Sequence, residues 1–273
     1  MIQQVVQVRE NVQLAERTYR IRLHSPDVAK LICPGQFLML RAVETSDPLL
    51  GRPFALYDTV LNAQGEATDV DVVYLVVGKL TGLLATLQPG DSLSMWGPLG
   101  NGFPELPEIE HVGLVAGGIG QTPFLAYARQ LLGTRSYGNR SPRQAAKKVS
   151  LYYGARSTSL LAGVEDFQAT GAEVHVATDD GSQGFHGLVT DLLASQGRPQ
   201  HLLGCGPEPM MEALAELASQ WNVPCHLSLE TPMACGVGVC FSCVAKVKTD
   251  GGWDYRRTCV DGPVFAADDL LFH

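Results

Sequence analysis

The sequence has no apolar run approaching 18 residues, so no segment reads as a membrane-spanning helix. Its opening residues, MIQQVVQVRE, lack the apolar centre of an export signal. Basic residues are scarce, 20 Lys and Arg against 28 Asp and Glu, for a formal net charge of −8. Binding a polyphosphate duplex needs a basic footprint, so nucleic acid is not an expected partner. Charged residues make up only 18% and apolar residues 45%, which excludes wholesale disorder. The expectation is a cytoplasmic chain without membrane contact.

What the sequence does contain is length, glycine and cysteine. Its 273 residues suit two domains with a small third module, at roughly 100–200 residues per domain. The 29 glycines gather at a few places. Of the seven cysteines, Cys33, Cys205 and Cys225 stand alone, whereas Cys235, Cys240, Cys243 and Cys259 fall close together near the C-terminus. Without an export signal, such a cluster points to a metal site more than to disulfides.

The first hundred residues read as all-β. Short apolar or alternating runs at 5–8, 18–23, 36–42, 70–77 and 91–97 are separated by Gly, Pro and Asp turns, as in a sandwich or small barrel. The polar stretch NAQGEATD at 62–69 is a hairpin signal. From about residue 107 the pattern changes to strands at 111–117, 149–155, 173–180 and 201–207. Helical patterns fall between them, at 124–132 and, opened by Pro207, at 208–220. That alternation predicts parallel βαβ units. The basic stretch at 133–148, with five Lys and Arg and no acid, reads either as a solvated loop or as a docking surface for an acidic partner.

The cysteine spacing is Cys235-x4-Cys240-x2-Cys243-x15-Cys259. A Cys-x4-Cys-x2-Cys run with a distant fourth Cys is the plant-type 2Fe-2S arrangement. The small residues between, including Gly236 and Gly238, let backbone N–H groups approach the sulfurs. A structural zinc site would pair the fourth ligand with another close by, and Cys259 stands alone; zinc and unrelated thiols are the alternatives. Two glycine turns accompany the predicted strands. Gly117, Gly118 and Gly120 follow the strand at 111–117 and open a helix, where free N–H groups could meet a pyrophosphate. Gly204-Cys205-Gly206-Pro207 ends the strand at 201–207, and two small-residue turns at one sheet edge favour a nucleotide. Each reading has a structural alternative, a plain tight turn and a small buried thiol. Arg52, followed by Pro53, Phe54 and Ala55, reads either as a phosphate clamp or as a surface arginine at a strand end. The loop Gly97–Phe103 reads as a close-approach loop or as one that closes domains.

Taken in order, these motifs resemble the ferredoxin reductase-like flavoprotein superfamily. They are most similar to the electron-transfer subunit of class 1B dihydroorotate dehydrogenase, and MACGVGVCFSCVAKV with RRTCVDGPVF carries most of the likeness. The resemblance covers essentially the whole chain. It implies a multidomain β plus α/β fold: a Greek-key FAD-binding β-barrel over 1–106, a Rossmann-like NAD domain over 107–222, and a C-terminal 2Fe-2S module over 223–273. Position by position, it puts Arg52, Pro53, Phe54 and Ala55 at the first FAD contact and Val73, Tyr74 and Leu75 beside the flavin or its ribityl chain. Leu80 and Thr81 would lie at the FAD phosphates. Gly117, Gly118 and Gly120 with Cys205 and Gly206 would border the NAD site, and Cys235, Cys240, Cys243 and Cys259 would hold the cluster. Ala55, Leu75 and Leu80 stand where the family commonly has Ser, Arg and Gly.

The implied reaction moves electrons between NAD(H) and a separate FMN-containing dihydroorotate dehydrogenase subunit through 2Fe-2S and FAD, in a heterotetramer of two of each chain. It requires no protein acid or nucleophile, so no catalytic side chain is expected. Two other readings stay open. One keeps the cofactors but serves ferredoxin, a hydrogenase or a sulfur-reducing complex. The other is a zinc-stabilised nucleotide-binding regulator. Arg156 and the hydroxyls of GARSTS at 154–159 could meet a 2′-phosphate or cap a helix, leaving NAD against NADP undecided.

Overall fold

The computed structural model describes residues 1–43, 45–138 and 143–272. Seven antiparallel strands come first: β1 (Ile2–Ala15), β2 (Thr18–His24), β3 (Phe37–Ala42), β4 (Arg52–Ala55), β5 (Asp58–Leu61), β6 (Ala67–Leu75) and β7 (Ser92–Leu99). Their order, β4-β3-β7-β1-β2-β6-β5, begins and ends with two strands separated only by Leu56 and Tyr57. The stretch 52–61 therefore pairs with β3 through its first half and with β6 through its second, and the sheet closes on itself. Two short helices, α1 (Pro26–Leu31) and α2 (Lys79–Leu84), cover it. Inward residues such as Ile21, Leu23, Leu38, Leu40 and Val72 form its fully buried core.

The second sheet is built from β8 (Ile109–Gly117), β9 (Ala146–Ala155), β10 (Glu173–Thr178), β11 (Phe185–His186), β12 (His201–Cys205) and β13 (Cys225–Ser228), all parallel, in the order β11-β10-β9-β8-β12-β13. Helices α3 (Phe124–Leu131), α4 (Val164–Gln168), α5 (Val189–Gln196) and α6 (Glu208–Trp221) connect the strands. α6 turns Met211, Leu214 and Ala218 inward, the spacing of one helical face. The chain direction across the sheet reverses between β8 and β12. Crevices at such switch points, outside the carboxyl ends of the strands, are where open α/β sheets bind ligands.

After β13 come a hairpin, β14 (Val244–Thr249) with β15 (Gly252–Arg257), and β16 (Val264–Ala266). β16 pairs antiparallel with β13, so the α/β sheet runs on past residue 222 into the segment that holds the cysteine cluster. Two strips of contact bind the units together. Tyr57 and Val73 of the barrel share a core with Leu114, Phe124 and Tyr127 of the α/β unit. Phe37, Met39 and Leu99 of the barrel pack on Met233, Cys243 and Cys259. The loop after β7 is the closing loop: Asn101 Nδ2 donates to the carbonyls of Asp261 and Val264, and its Oδ1 accepts from the Val264 N–H.

Candidate functional site

A cavity of about 1130 Å³ lies where the three units meet, roomier than the ~300–1,000 Å³ of pockets for drug-sized ligands. β4 contributes Arg52, Pro53, Phe54 and Ala55; β6 contributes Val73, Tyr74 and Leu75; the α2 turn contributes Leu80 and Thr81. Gly120, Cys205 and Gly206 form the opposite wall. Of the residues expected at FAD and NAD, only Gly117 and Gly118 fall outside this lining.

The local chemistry differs between these positions. Arg52 is exposed, and among the described residues its guanidinium donates to the neighbouring carbonyls of Leu50 and Gly51, at 3.1 and 3.0 Å, and faces no carboxylate. The Thr81 hydroxyl is engaged within its own loop, accepting from the N–H of Val77 at 2.9 Å and of Gly78 at 3.0 Å. Leu80 packs into the barrel core. Tyr74 is buried, its ring stacked on Tyr19 and set edge-on to Phe54, with its hydroxyl 3.1 Å from Asn11 Oδ1. A wide slot with the Arg52 guanidinium on its wall suits a dinucleotide with a flat ring system.

The two glycine turns interlock. A Cβ on Gly120 would lie 2.1 Å from the Cys205 carbonyl oxygen, and one on Gly117 would lie 2.7 Å from Pro207 Cδ and 2.8 Å from Met210 Sδ. Close packing of the two turns, with no room for a side chain, brings the carboxyl ends of β8 and β12 together. Gly118 faces open space, and its φ of +55° is the reason for glycine there. The Cys205 thiol, burial being the main cause, is pushed up to about 12 and stays protonated at neutral pH.

Cys243 and Cys259 are buried against the barrel, while Cys240 is exposed and Cys235 intermediate. Among the described residues no three His, Cys, Asp or Glu side chains converge as a single-ion site would require. The thiols instead shift one another's acidity, Cys235 that of Cys240 and Cys243 that of Cys259. Cys240, hydrogen-bonded to Ser242 first and then to Cys235, is lowered to about 6. Burial, with Cys243 beside it, pushes Cys259 up to about 12. Two pairs are what a two-iron cluster asks for, since each iron takes two thiolates. Gly236, Gly238 and Phe241 all have positive φ, which curls the loop so that the Val237 N–H points at Cys235 Sγ, 3.4 Å away. The Trp96 indole donates to the Cys235 carbonyl at 3.0 Å, tying the loop to β7. Arg257 adds a fixed positive charge, bonded to the Gly238 carbonyl at 3.2 Å and lying over the Phe241 ring.

The four cysteines are not in the cavity lining, but Met233, Ala234 and Ser242 next to them are. The sequence reading missed the approach segment Ser228–Ala234, Lys79, and the hairpin residues Lys246 and Tyr255, all on the cavity wall. None has a spacing signal; the position of 228–234 between the β13 edge and the first cluster cysteine was the only available hint.

Three family models match successive parts of the chain: an oxidoreductase FAD-binding domain over 3–103, an oxidoreductase NAD-binding domain over 114–216, and the iron-sulfur cluster binding domain of dihydroorotate dehydrogenase B over 230–271. The chain therefore carries FAD-, NAD- and iron–sulfur-binding domains, and nothing in them supports the zinc-regulator reading. Among solved structures, one described as an NADH-dependent reduced ferredoxin-NADP oxidoreductase, studied for flavin-based electron bifurcation, is 29% identical with a TM-score of 0.80. It covers 97% of this chain and 89% of its own. Phthalate dioxygenase reductase, 19% identical with a TM-score of 0.62 over 97% and 95% of the two chains, shares the fold. No helix among the described residues is long and apolar enough to cross a membrane. The dihydroorotate dehydrogenase B (NAD(+)) electron transfer subunit of Geobacillus kaustophilus (strain HTA426) is 41% identical over 261 residues, 94% of each chain. That of Clostridium acetobutylicum is 34% identical over 269 residues, 98% of this chain and 97% of its own. On this likeness along nearly its whole length, the chain belongs to the family of dihydroorotate dehydrogenase B electron transfer subunits.

Proposed function

We propose that this chain passes electrons between NAD(H) and an FMN-containing catalytic subunit that oxidises dihydroorotate, a step of pyrimidine biosynthesis, in a heterotetramer of two of each chain. The observation that carries the reading is the single cavity shared by β4 and β6 of the barrel, the Gly120 and Cys205 turns, and the segment leading to Cys235. FAD, when bound, exchanges an electron pair with a nicotinamide and single electrons with an iron–sulfur cluster. The residues of the chain do the holding. Arg52 offers a phosphate clamp and Tyr74 a rigid apolar wall. The interlocked glycine turns let a nicotinamide approach the backbone closely, and Cys235, Cys240, Cys243 and Cys259 are the proposed cluster ligands. Hydride exchange itself needs no protein acid or nucleophile.

The cluster end also has the surface a protein partner would need. Val237, Val239, Phe241 and Val260 are exposed around exposed Cys240, an apolar patch of the kind that marks interaction sites. The family's catalytic subunit is the proposed occupant. The likeness to the NADH-dependent ferredoxin-NADP oxidoreductase favours, as second reading, a ferredoxin-type partner.

The test is a visible absorption spectrum of anaerobically purified protein, with iron, sulfide and flavin assays on the same sample. Flavin bands, broad absorption to longer wavelength and about two irons per chain are expected; zinc without flavin overturns the proposal. Adding the catalytic subunit should then couple dihydroorotate oxidation to NAD⁺ reduction. Coupling to reduced ferredoxin alone would select the second reading.

A further inference from the structure

We infer that Arg257 and Asp261, neither of them a cluster ligand, set the reduction potential of the 2Fe-2S cluster through opposing fixed charges, the guanidinium raising it and the carboxylate lowering it. The inference rests on the electron-transfer reading above and deepens it at the cluster end. Four thiolates and two sulfides outweigh two ferric irons, so such a cluster is anionic before it is reduced. One electron from a flavin adds a further negative charge; no bond breaks and no proton moves. A positive charge beside the cluster therefore favours the reduced form, and a negative one the oxidised form.

The loop from Cys235 to Cys243 has no charged residue of its own, and Arg257 brings one to it. Three ligand-bearing segments converge on this residue. The hairpin register pairs it with Val244, next to Cys243, and it stands just before Thr258 and Cys259 in the chain. Its Nη1 donates to the Gly238 carbonyl at 3.2 Å, in the turn between Cys235 and Cys240. A Cβ on Gly238 would lie 3.2 Å from the same nitrogen, and φ there is +81°, so glycine lets the guanidinium sit directly on the turn. The Phe241 ring, its centre 5.2 Å from the guanidinium carbon, fixes the plane of the group. Asp261 holds another edge: its Oδ2 accepts from Arg257 Nε at 3.2 Å and from the Arg257 backbone N–H at 2.8 Å. The Asp261 N–H returns a bond to the Arg257 carbonyl at 2.7 Å. Alternation along β15 turns the neighbouring Arg256 to the other face of the hairpin, where it pairs with Asp254 at 3.7 Å. One cation is thus locked against the ligand loop by a carboxylate that partly offsets it.

The experiment is an anaerobic redox titration of the FAD- and cluster-loaded chain, read by the electron paramagnetic resonance of the reduced cluster. Arg257→Gln should move the balance about tenfold toward the oxidised form, a potential about 59 mV lower for a one-electron couple. Asp261→Asn keeps an oxygen to accept from Arg257 and should move it severalfold the other way. Arg257→Lys keeps the charge without the fork and should recover most of the native potential. Glu216→Gln, exposed on α6, should leave it unchanged. The Arg257 and Asp261 side chains are each 31% exposed, so added salt should narrow the gap between the native chain and Arg257→Gln; a purely structural tie would not respond. A native potential in Arg257→Gln with full iron overturns the inference, as does a shift of the same sign in Arg257→Gln and Asp261→Asn. Should Arg257→Gln purify without iron, Asp261→Asn decides, and a potential at or below the native value overturns the inference. A native chain that purifies without flavin or iron overturns the electron-transfer reading instead.

Discussion

The Tyr137 hydroxyl donates a 2.6 Å hydrogen bond to Oδ1 of Asp58, joining the stretch after α3 to strand β5 of the barrel. Arg129 Nε lies 3.1 Å from the other carboxylate oxygen and Arg135 Nη1 3.6 Å from it. Arg135 also donates to the Thr59 hydroxyl at 3.0 Å. The basic stretch at 133–148 is thus not wholly a solvated loop. Its first part latches the α/β unit to the barrel. Its last part makes the surface pairs Lys147–Glu110 and Lys148–Glu173. Residues 139–142 lie outside the described residues.

Asp58→Ala should remove about 3–5 kcal/mol of stability, because it leaves two arginines and a phenol facing one another without their shared acceptor. Tyr137→Phe, which leaves Asp58 with both arginines, should cost only about 1 kcal/mol. Urea unfolding of both variants checks the ranking, and equal losses would mean that the carboxylate is not the centre of the latch.

Gly120→Ala and Gly118→Ala should separate two reasons for glycine. The first puts a methyl group into the Cys205 carbonyl and should weaken NADH binding at least tenfold, about 1.4 kcal/mol, along with stability. The second meets open space and should cost only the ~1–2 kcal/mol of a left-handed residue. Isothermal titration with NADH, alongside thermal unfolding, reads both.

Cys240→Ser should lower iron from about two per chain to near zero while flavin content holds, because Cys240 is exposed at the rim of the loop and the FAD-side residues sit on other elements. Iron and flavin assays on one sample check this. Retention of full cluster absorbance would remove Cys240 from the ligand set.

Acid should destabilise the chain through His201. Its Nε2 lies 2.9 Å from Nδ1 of His226, with the rings stacked, so one nitrogen must donate and the other accept. Burial first, and His226 second, lower His201 to about 4. The unfolded chain binds that proton near pH 6.5 and the folded chain does not. The unfolded state therefore gains protons as pH falls, and stability is lost between about pH 6.5 and pH 4. The expected loss from this residue is about 2 kcal/mol at pH 5. Denaturant midpoints at pH 7 and pH 5 should differ by that much in the native chain and by much less in His201→Gln.

Several features were legible in local pattern. The five early strand runs fall on strands of the barrel to within two residues at their ends, and the alternation after residue 107 gave the parallel sheet, because side-chain period and turn residues act over a few positions. The cysteine spacing was readable for the same reason: three ligands lie within nine residues of one another. The roles of Thr81 and Leu80 were not, since one hydroxyl is consumed by its own turn and one side chain by the core. Neither fact has a signature in residue type.

By itself, the sequence determined the element types, the glycine turns, the cysteine spacing and hence the cofactor classes, all of which depend on neighbours along the chain. Tertiary structure alone decided that β13 and β16 extend the α/β sheet, and that Arg135 and Tyr137 turn inward. It also decided that a cavity joins all three units. The contacts responsible span 79 residues at Tyr137–Asp58 and 163 at Asn101–Val264. Over such separations, pairing is set by which buried faces fit together and which polar groups must be satisfied there, and no local pattern records it.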